Sequence, residues 1–277
     1  MNPTLHQAPA LDRRRALLAI CGSLAAARVP AEQPAPAILG WHFLARLDVG
    51  SQDAMGQRQE PSILTRTQAL GPRARAEVLQ GDDDWRPGDF ALTEDGGRSL
   101  LVYDLASRRV ERLTPDTLEH GADAAAGLMK FKLRDLDIGV RRIGPGGRVA
   151  GMATTHWRIE RRLRAQASLL FFKESLSLSD KLDFWFADEF ADTANPLAAL
   201  TLSLASVMLR LTPQSRAKHR AALDELPGLN PVRLHCELST EDSDGRSTNT
   251  LAVEVTEPKR TAIDAGMFAA PTGFASA

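Results

Sequence analysis

The stretch "NPLAALTLSLASVMLRL", residues 195–211, decides how the rest of the chain must be arranged. Asn195 fits a helix N-cap and Pro196 fits the first helical position. The spacing predicts a helix of about 16 residues, roughly 24 Å long at 1.5 Å rise per residue. Apolar side chains occupy nearly its whole circumference, and Ser203, Ser206 and Arg210 form only a thin polar stripe. Such a helix is short for a membrane span, which needs ~20 apolar residues. In a soluble protein it must therefore be enclosed. Thr212-Pro213 starts a second, more polar helix that is expected to reach Leu226, where Pro227-Gly228 stops it.

The flanking sequence supplies the enclosure, because it alternates like a sheet. In "WHFLARLDV", residues 41–49, Trp41, Phe43, Ala45, Leu47 and Val49 share one face, and His42, Arg46 and Asp48 share the other. A period of two marks a half-buried strand. Residues 63–70 and 73–79 predict two more strands across a Gly71-Pro72 break. "SLLVYDL", "ASRR" and "VERL" predict a hairpin over residues 99–113, whose first strand is apolar on both faces, Leu101, Tyr103 and Leu105 on one and Leu100 and Val102 on the other, and so is expected to be covered on each side. Further strands are expected at 129–136, 154–163, 169–178 and 181–187. "GPGG" at 144–147 is expected to turn before the second of these, and "SDK" at 179–181 between the last two. In the final hairpin, Val232, Leu234, Cys236 and Leu238 alternate with Arg233, His235, Glu237 and Ser239. Asp244-Gly245 is the turn signal, and Leu251, Val253 and Val255 return in phase.

The front of the chain reads as an export leader. Arg13, Arg14 and Arg15 precede an apolar run from Ala16 to Ala27, and cleavage sites follow Ala27 and Ala31. Arg14, Arg15, Ala16, Leu17 and Leu18 resemble the twin-arginine export motif, without its upstream Ser or Thr and its Phe. The plainer alternatives are a mitochondrial presequence or a disordered tail. Cys21 suggests a lipid anchor, but Ile20 stands where a small residue is needed, so an incidental cysteine is the plainer reading. Removing residues 1–31 takes the formal charge from -1 to -4, which offers no basic field to nucleic acid. The remaining chain has one cysteine, Cys236, and so no internal disulfide. On the apolar face of its strand, Cys236 reads as a small hydrophobe rather than a reactive thiol. With 43% hydrophobic residues, the chain has enough apolar material for a core. Residues 32–277 are expected to form a single β-rich domain with a helical insert at 195–226.

"GLNPVRLHCEL", a turn, "NTLAVEVTE" and "IDAGMFAAPTGF" occur in that order near the end. This order resembles a bacterial envelope family of unknown function that is similar to the lipoprotein-carrier half-barrels, the LolA/LolB-like proteins. Gly228, Pro231, Asp264, Phe268, Pro271, Gly273 and Phe274 match its closing pattern. "SLLVYDLASRRVERLTPD" resembles an upstream strand, turn and strand. "RVAGMATTHWRI" resembles another strand, with Gly151 and Trp157 in place. The likeness covers most of residues 38–274; the helical stretch 191–226 is longer than the family's, and the chain has a single Tyr. The resemblance implies a mainly β (α+β) fold, with a strongly curved antiparallel sheet forming an unclosed barrel and one or two helices on its concave face. It also implies a periplasmic or secreted, non-enzymatic protein that binds or carries a hydrophobic ligand or a lipidated protein. The alternative is a module that senses or binds envelope proteins through its sheet surface. Phe268 and Phe274, with bends at Pro271 and Gly273, are expected to dock the tail across an open end of the sheet.

The remaining candidates are weighed by their chemistry. Trp41, Phe43, Phe172, Leu200, Leu204 and Met208 are candidate ligand-lining residues, against plain packing. Asp82, Asp83 and Asp84 in "GDDDW" offer carboxylates for a hard cation, but consecutive Asp in a loop diverge, and a solvated turn is the plainer reading. The histidines, His6, His42, His120, His156, His219 and His235, have no zinc-ligand spacing. No nucleophile-elbow motif supports a Ser/His/Asp triad, and "RPGDF" and "GPGG" read as turns rather than phosphate loops. Arg158, Arg162 and Arg164 share a face with Glu160. That row suits anionic lipid head groups or an acidic partner, or simply protects a strand face. No cofactor or metal is expected. Amino-terminal sequencing of the exported protein should start at Arg28 or Glu32. An intact Met1 in a periplasmic fraction would remove the leader.

Overall fold

Alternation along the chain becomes one continuous sheet in the computed structural model. It describes residues 38–52, 58–59, 62–82, 85–114, 117, 130–169, 172–206, 212–242 and 245–276. From one edge the strands run β13 (Ala275–Ser276), β7 (Arg109–Leu113), β6 (Leu100–Asp104), β5 (Phe90–Thr93), β4 (Arg73–Gln80) and β3 (Ser62–Leu70). They continue through β1 (Ile38–Gln52), β12 (Gly245–Ile263), β11 (Arg233–Asp242), β10 (Phe172–Phe186) and β9 (Met152–Leu169) to β8 (Lys130–Val149). The short β2 (Arg58–Gln59) pairs with the end of β1. The sheet curves without closing, and β8 and β13 form its two edges. Every pairing is antiparallel except that of β13 with β7, which is parallel. The all-antiparallel expectation thus misses the last strand. The chain arrives there after crossing the sheet, and Ala275 N donates to Arg108 O at 3.0 Å.

Two helices lie on the inner face. The first, α1 (Pro196–Ala205), is capped where expected: Asn195 Oδ1 accepts from Ala198 N at 3.3 Å. Asn230 and Pro231 hold that cap in turn, through Asn195 N to Asn230 Oδ1 and Asn195 Nδ2 to Pro231 O. Pro196 to Leu202 are all buried, so the helix is enclosed as its composition requires. Two buried hydroxyls bond back to it, Thr201 Oγ1 donating to Leu197 O and Ser206 Oγ, just past its end, to Leu202 O. The expected continuation through 207–211 lies outside the described residues. The second helix, α2 (Pro213–Asp224), opens with a capping box between Thr212 and Ser215.

The core fills the space between α1 and the sheet. Phe43, Ala45, Val255, Leu234, Cys236, Leu182, Phe184 and Ile159 are all fully buried there. Phe190, in a 3-10 turn at Asp188–Phe190, meets the edge of Phe43 at 5.1 Å and Trp41 at 5.5 Å between ring centroids. The tail runs from β12 past β4. Phe268 is buried beneath Arg73, and Phe274 meets Tyr103 edge-on at 5.0 Å. Tyr103 stacks on Phe90, so the last aromatic closes over the β5–β6 cluster at the sheet's edge region.

Two expected turns are absent, and each absence has a physical reason. "GPGG" stays inside β8, which absorbs it as bulges between Arg142 and Gly144 and between Pro145 and Gly147. The chain reverses just beyond, at Ala150 and Gly151, both with positive φ. "SDK" likewise stays inside β10. Ser179 and Lys181 face out, and Asp180 faces in to a buried partner. The expected strands at 169–178 and 181–187 therefore form one. β5, by contrast, escapes detection by alternation because all four of its residues are buried. Bulging also lengthens β12: Glu257 (φ 52) and Pro258 fit opposite Phe43, and pairing with β1 resumes beyond them.

Truncating Phe190 to Ala removes the ring that joins Trp41 and Phe43. A loss of about 3–5 kcal/mol in urea unfolding is expected. A change under about 1 kcal/mol would show that these rings do not anchor the core.

Candidate functional site

Strand β9 carries a charge in its apolar phase. Ile159 and Leu163 point inward, and so does Arg161 between them, which is 1% exposed. Opposite it in register stands Asp180 of β10. Arg161 Nε donates to Asp180 Oδ1 at 2.5 Å, and Nη2 donates to Oδ2 at 2.6 Å. Nη2 also donates to Ala205 O at 2.8 Å. That carbonyl belongs to the last residue of α1, and a cation there suits the helix dipole. Burial pushes the Asp180 carboxyl above the usual carboxylate range, against the pull of Arg161. A fully buried ion pair adds little net stability over a well-packed apolar pair, but losing one partner leaves the other charge buried alone. Nη1 of Arg161 has no hydrogen-bond partner among the described residues.

Beyond α1 the packing opens. A cleft of about 160 Å³ lies between α1, α2 and the β6–β7 hairpin. Its apolar walls are Leu100 and Leu113 from the hairpin, Ala199 and Leu202 from α1, Leu223 of α2, and Leu229. Arg98, Ser203 and His219 add polar groups. Gly97 brings the β5–β6 turn against α1: a Cβ at Gly97 would stand 2.8 Å from the Ala199 Cβ. The turn is tied down by Asp95, which accepts from Ser99 N at 2.9 Å and Ser99 Oγ at 2.6 Å. A space of this size takes a ring or a short run of alkyl chain.

The sequence candidates fall in different places. Trp41 and Phe43 are buried in the core against Phe190 and are not among the residues lining the cleft. Leu200 packs with Leu100 and Ala199, two of the cleft's walls. Phe172 begins β10 and Leu204 lies in α1, while Met208 is outside the described residues. Alternation points to the sheet's inner face, whereas the cleft uses turns and helix flanks. On α2 the buried positions Ser215, His219 and Ala222 mark the inward face, and His219 with Leu223 forms the far wall of the cleft.

Other titratable groups settle into structural contacts. Burial pushes the Cys236 thiol up to about 12, with Arg161 opposing, which keeps it a protonated, unreactive group. Asp82 Oδ1 accepts from Trp85 N at 3.0 Å; Asp83 and Asp84 lie outside the described residues. No group of three or more His, Cys, Asp or Glu converges among the described residues. On the outer face His156 Nε2 lies 2.6 Å from Asp183 Oδ1 and stacks on Trp185. Arg158 binds the same carboxylate through two nitrogens. His156 is thus locked between a carboxylate and an indole.

The sequence matches no family model, and no curated protein matches it. In fold the chain is similar to a LolA superfamily protein from Nitrosomonas europaea, at 11% identity and a TM-score of 0.28, covering 83% of this chain and 90% of that one. It is also similar to a DUF1329 family protein from Desulfovibrio piger, at 9% identity and a TM-score of 0.30, covering 85% and 91%. At these values no residue of either chain can be matched to one here, and the site rests on this chain's own side chains. No described helix is long and apolar enough to cross a membrane.

Breaking the buried pair tests its role. Arg161→Met and Asp180→Leu should each cost about 3–5 kcal/mol, while the double variant recovers most of that loss. Urea midpoints of all three variants measure this; additive losses would show that the pair does not act as a unit.

Proposed function

We propose that the protein is exported by its leader, residues 1–31, and binds or carries an apolar molecule, or the acyl part of a lipid-modified protein, in the cell envelope. The observation that carries this reading is the apolar cleft beside an enclosed helix. On this reading the protein is not an enzyme: it works by shielding its ligand from water, at roughly 25 cal/mol per Å² of apolar surface covered. Leu100, Leu113, Leu202 and Leu223 supply that cover. Ser203 and Arg98 face whatever polar end the ligand has.

Two restraints define what would move. Asn195 and Asn230 hold the start of α1, and Arg161 holds its end. With both ends fixed and the core packed beneath, α1 is the fixed wall. The β6–β7 hairpin is the wall that yields, because it lies near the sheet's edge and makes fewer pairings. A longer ligand enters as the hairpin and α2 part from α1.

Native mass spectrometry of protein purified from the periplasm should show a bound apolar species, recovered by lipid extraction. Ser203→Trp places an indole in the cleft and should abolish that species. It should also weaken binding of an apolar fluorophore, N-phenyl-1-naphthylamine, at least about tenfold, as expected when a cleft of this kind is filled. Bare protein in native spectra, together with fluorophore binding that Ser203→Trp leaves unchanged, would refute carriage in this cleft.

A further inference from the structure

We propose that the outer face of the sheet carries a site for a phosphoryl group, formed by Arg162, Arg164 and Arg246 over a floor of serine hydroxyls. The site lies on the opposite face from α1, so it stands or falls independently of the apolar cleft.

Pairing builds it. Across β9, β10, β11 and β12, Arg162, Ser179, Ser239 and Thr248 form one row, and Arg164, Ser177, Glu241 and Arg246 form the next. Short serines between long arginines leave a hollow of about 250 Å³ in a face that should otherwise bulge outward. Ser239 lies at its floor, 6% exposed. Arg246 Nη2 donates to Ser239 Oγ at 3.3 Å, which leans that guanidinium into the hollow.

The combination of unpaired arginines with a hollow is what singles it out. Several outward arginines of the sheet hold carboxylates: Arg46 with Asp48, Arg66 with Glu77, Arg141 with Glu160, Arg158 with Asp183 and Arg233 with Glu254. Arg109, Arg112 and Arg142 are exposed without an ion pair among the described residues, but line no such hollow. Carboxylates are present here too. Glu241 faces Arg246 in register, and Asp135 and Asp137 of β8 face Arg164 and Arg162. Yet among the described residues none of these forms an ion pair with the three arginines, although Glu241 itself lines the hollow, so the guanidiniums keep donors for a ligand. Guanidinium forks approaching from β9 on one side and β12 on the other match a tetrahedral oxyanion, whose remaining oxygens accept from Ser177 and Ser179. The phosphoryl group belongs either to a lipid head group or to a soluble phosphate.

Two arms separate these sources. The protein is titrated with inorganic phosphate and glycerol 3-phosphate while the amide signals of Ser177, Ser179 and Ser239 are followed. It is also sedimented with vesicles of phosphatidylcholine, with and without phosphatidylglycerol. Shifts in the first arm identify a soluble ligand; binding confined to the phosphatidylglycerol vesicles identifies a head group. The variant R162Q/R164Q/R246Q should bind whichever probe succeeds on the order of a hundredfold more weakly, from about fivefold per arginine. A control with the same charge change at other exposed arginines, R109Q/R112Q/R142Q, should stay within about threefold. Far-UV circular dichroism checks that both variants fold. Absence of amide shifts together with vesicle binding no greater than to phosphatidylcholine overturns the site, as does equal weakening in the two variants. The wild-type titrations alone decide between binding and none, so the site stays refutable even if R162Q/R164Q/R246Q does not fold.

Discussion

An apolar helix that ends inside a protein leaves carbonyls with no water to take them. In this chain Ser206 takes two of them, Leu202 O and Ser203 O, and one guanidinium, Arg161, reaches from the sheet to a third, Ala205 O. A bare cation there would be ruinous, so Asp180 must lie beside it, and β10 must run straight through the residues that hold it. The strand register between β9 and β10 is thereby tied to the position of α1. A slip of β9 by one residue would turn Arg161 to solvent and Arg162 into the core, and leave Asp180 buried without its partner. At its other end α1 is tied to the loop before β11 through Asn195, Asn230 and Pro231. The helix is thus tied at both ends to the β9–β11 part of the sheet.

Much of this is legible in residue order. The enclosed helix, its Asn195 cap and the helix after Thr212 can be read directly, as can the strands at 41–49, 63–79 and 232–255. What fails has a common cause. Asp180 reads as part of a turn because "SDK" is polar, and Arg161 is inconspicuous inside a basic row. Both share the phase of their apolar neighbours, Leu178 and Leu182 for Asp180, Ile159 and Leu163 for Arg161. Taken alone, each charge in an apolar phase argues against a strand. Together they argue for a buried pair, which single-segment alternation cannot detect because the partners are 19 residues apart. Glycine and proline mislead in a second way. In β8 and β12 they sit in bulges within continuous strands rather than at the ends of strands.

The candidate site is less legible than the fold for a related reason. Trp41 and Phe43 are the conspicuous aromatics of the inner face, and for that reason they are committed to Phe190 and the core. Large rings on a concave sheet fill it. The space that remains is bounded by Ala199, Leu113 and Leu229, residues whose apolar character is ordinary and whose convergence depends on the turn at Gly97 and the angle of α2. No periodicity announces such a place.

The two faces of the sheet then divide the chemistry. Inward, the Arg161–Asp180 pair serves geometry, and the packing around it excludes water up to the mouth of the cleft. Outward, charges are matched along the rows from Arg141 through Glu160 and Arg158 to Asp183, and this matched surface gives no direction to a partner. Only an unmatched group of charges can orient the molecule, and exposed pairs elsewhere contribute little either way. Because β9 and β10 carry the Arg161–Asp180 clamp inward and Arg162, Arg164 and Ser179 outward, any anion drawing these strands together from outside would press on the register that holds α1. The two faces are mechanically one pair of strands.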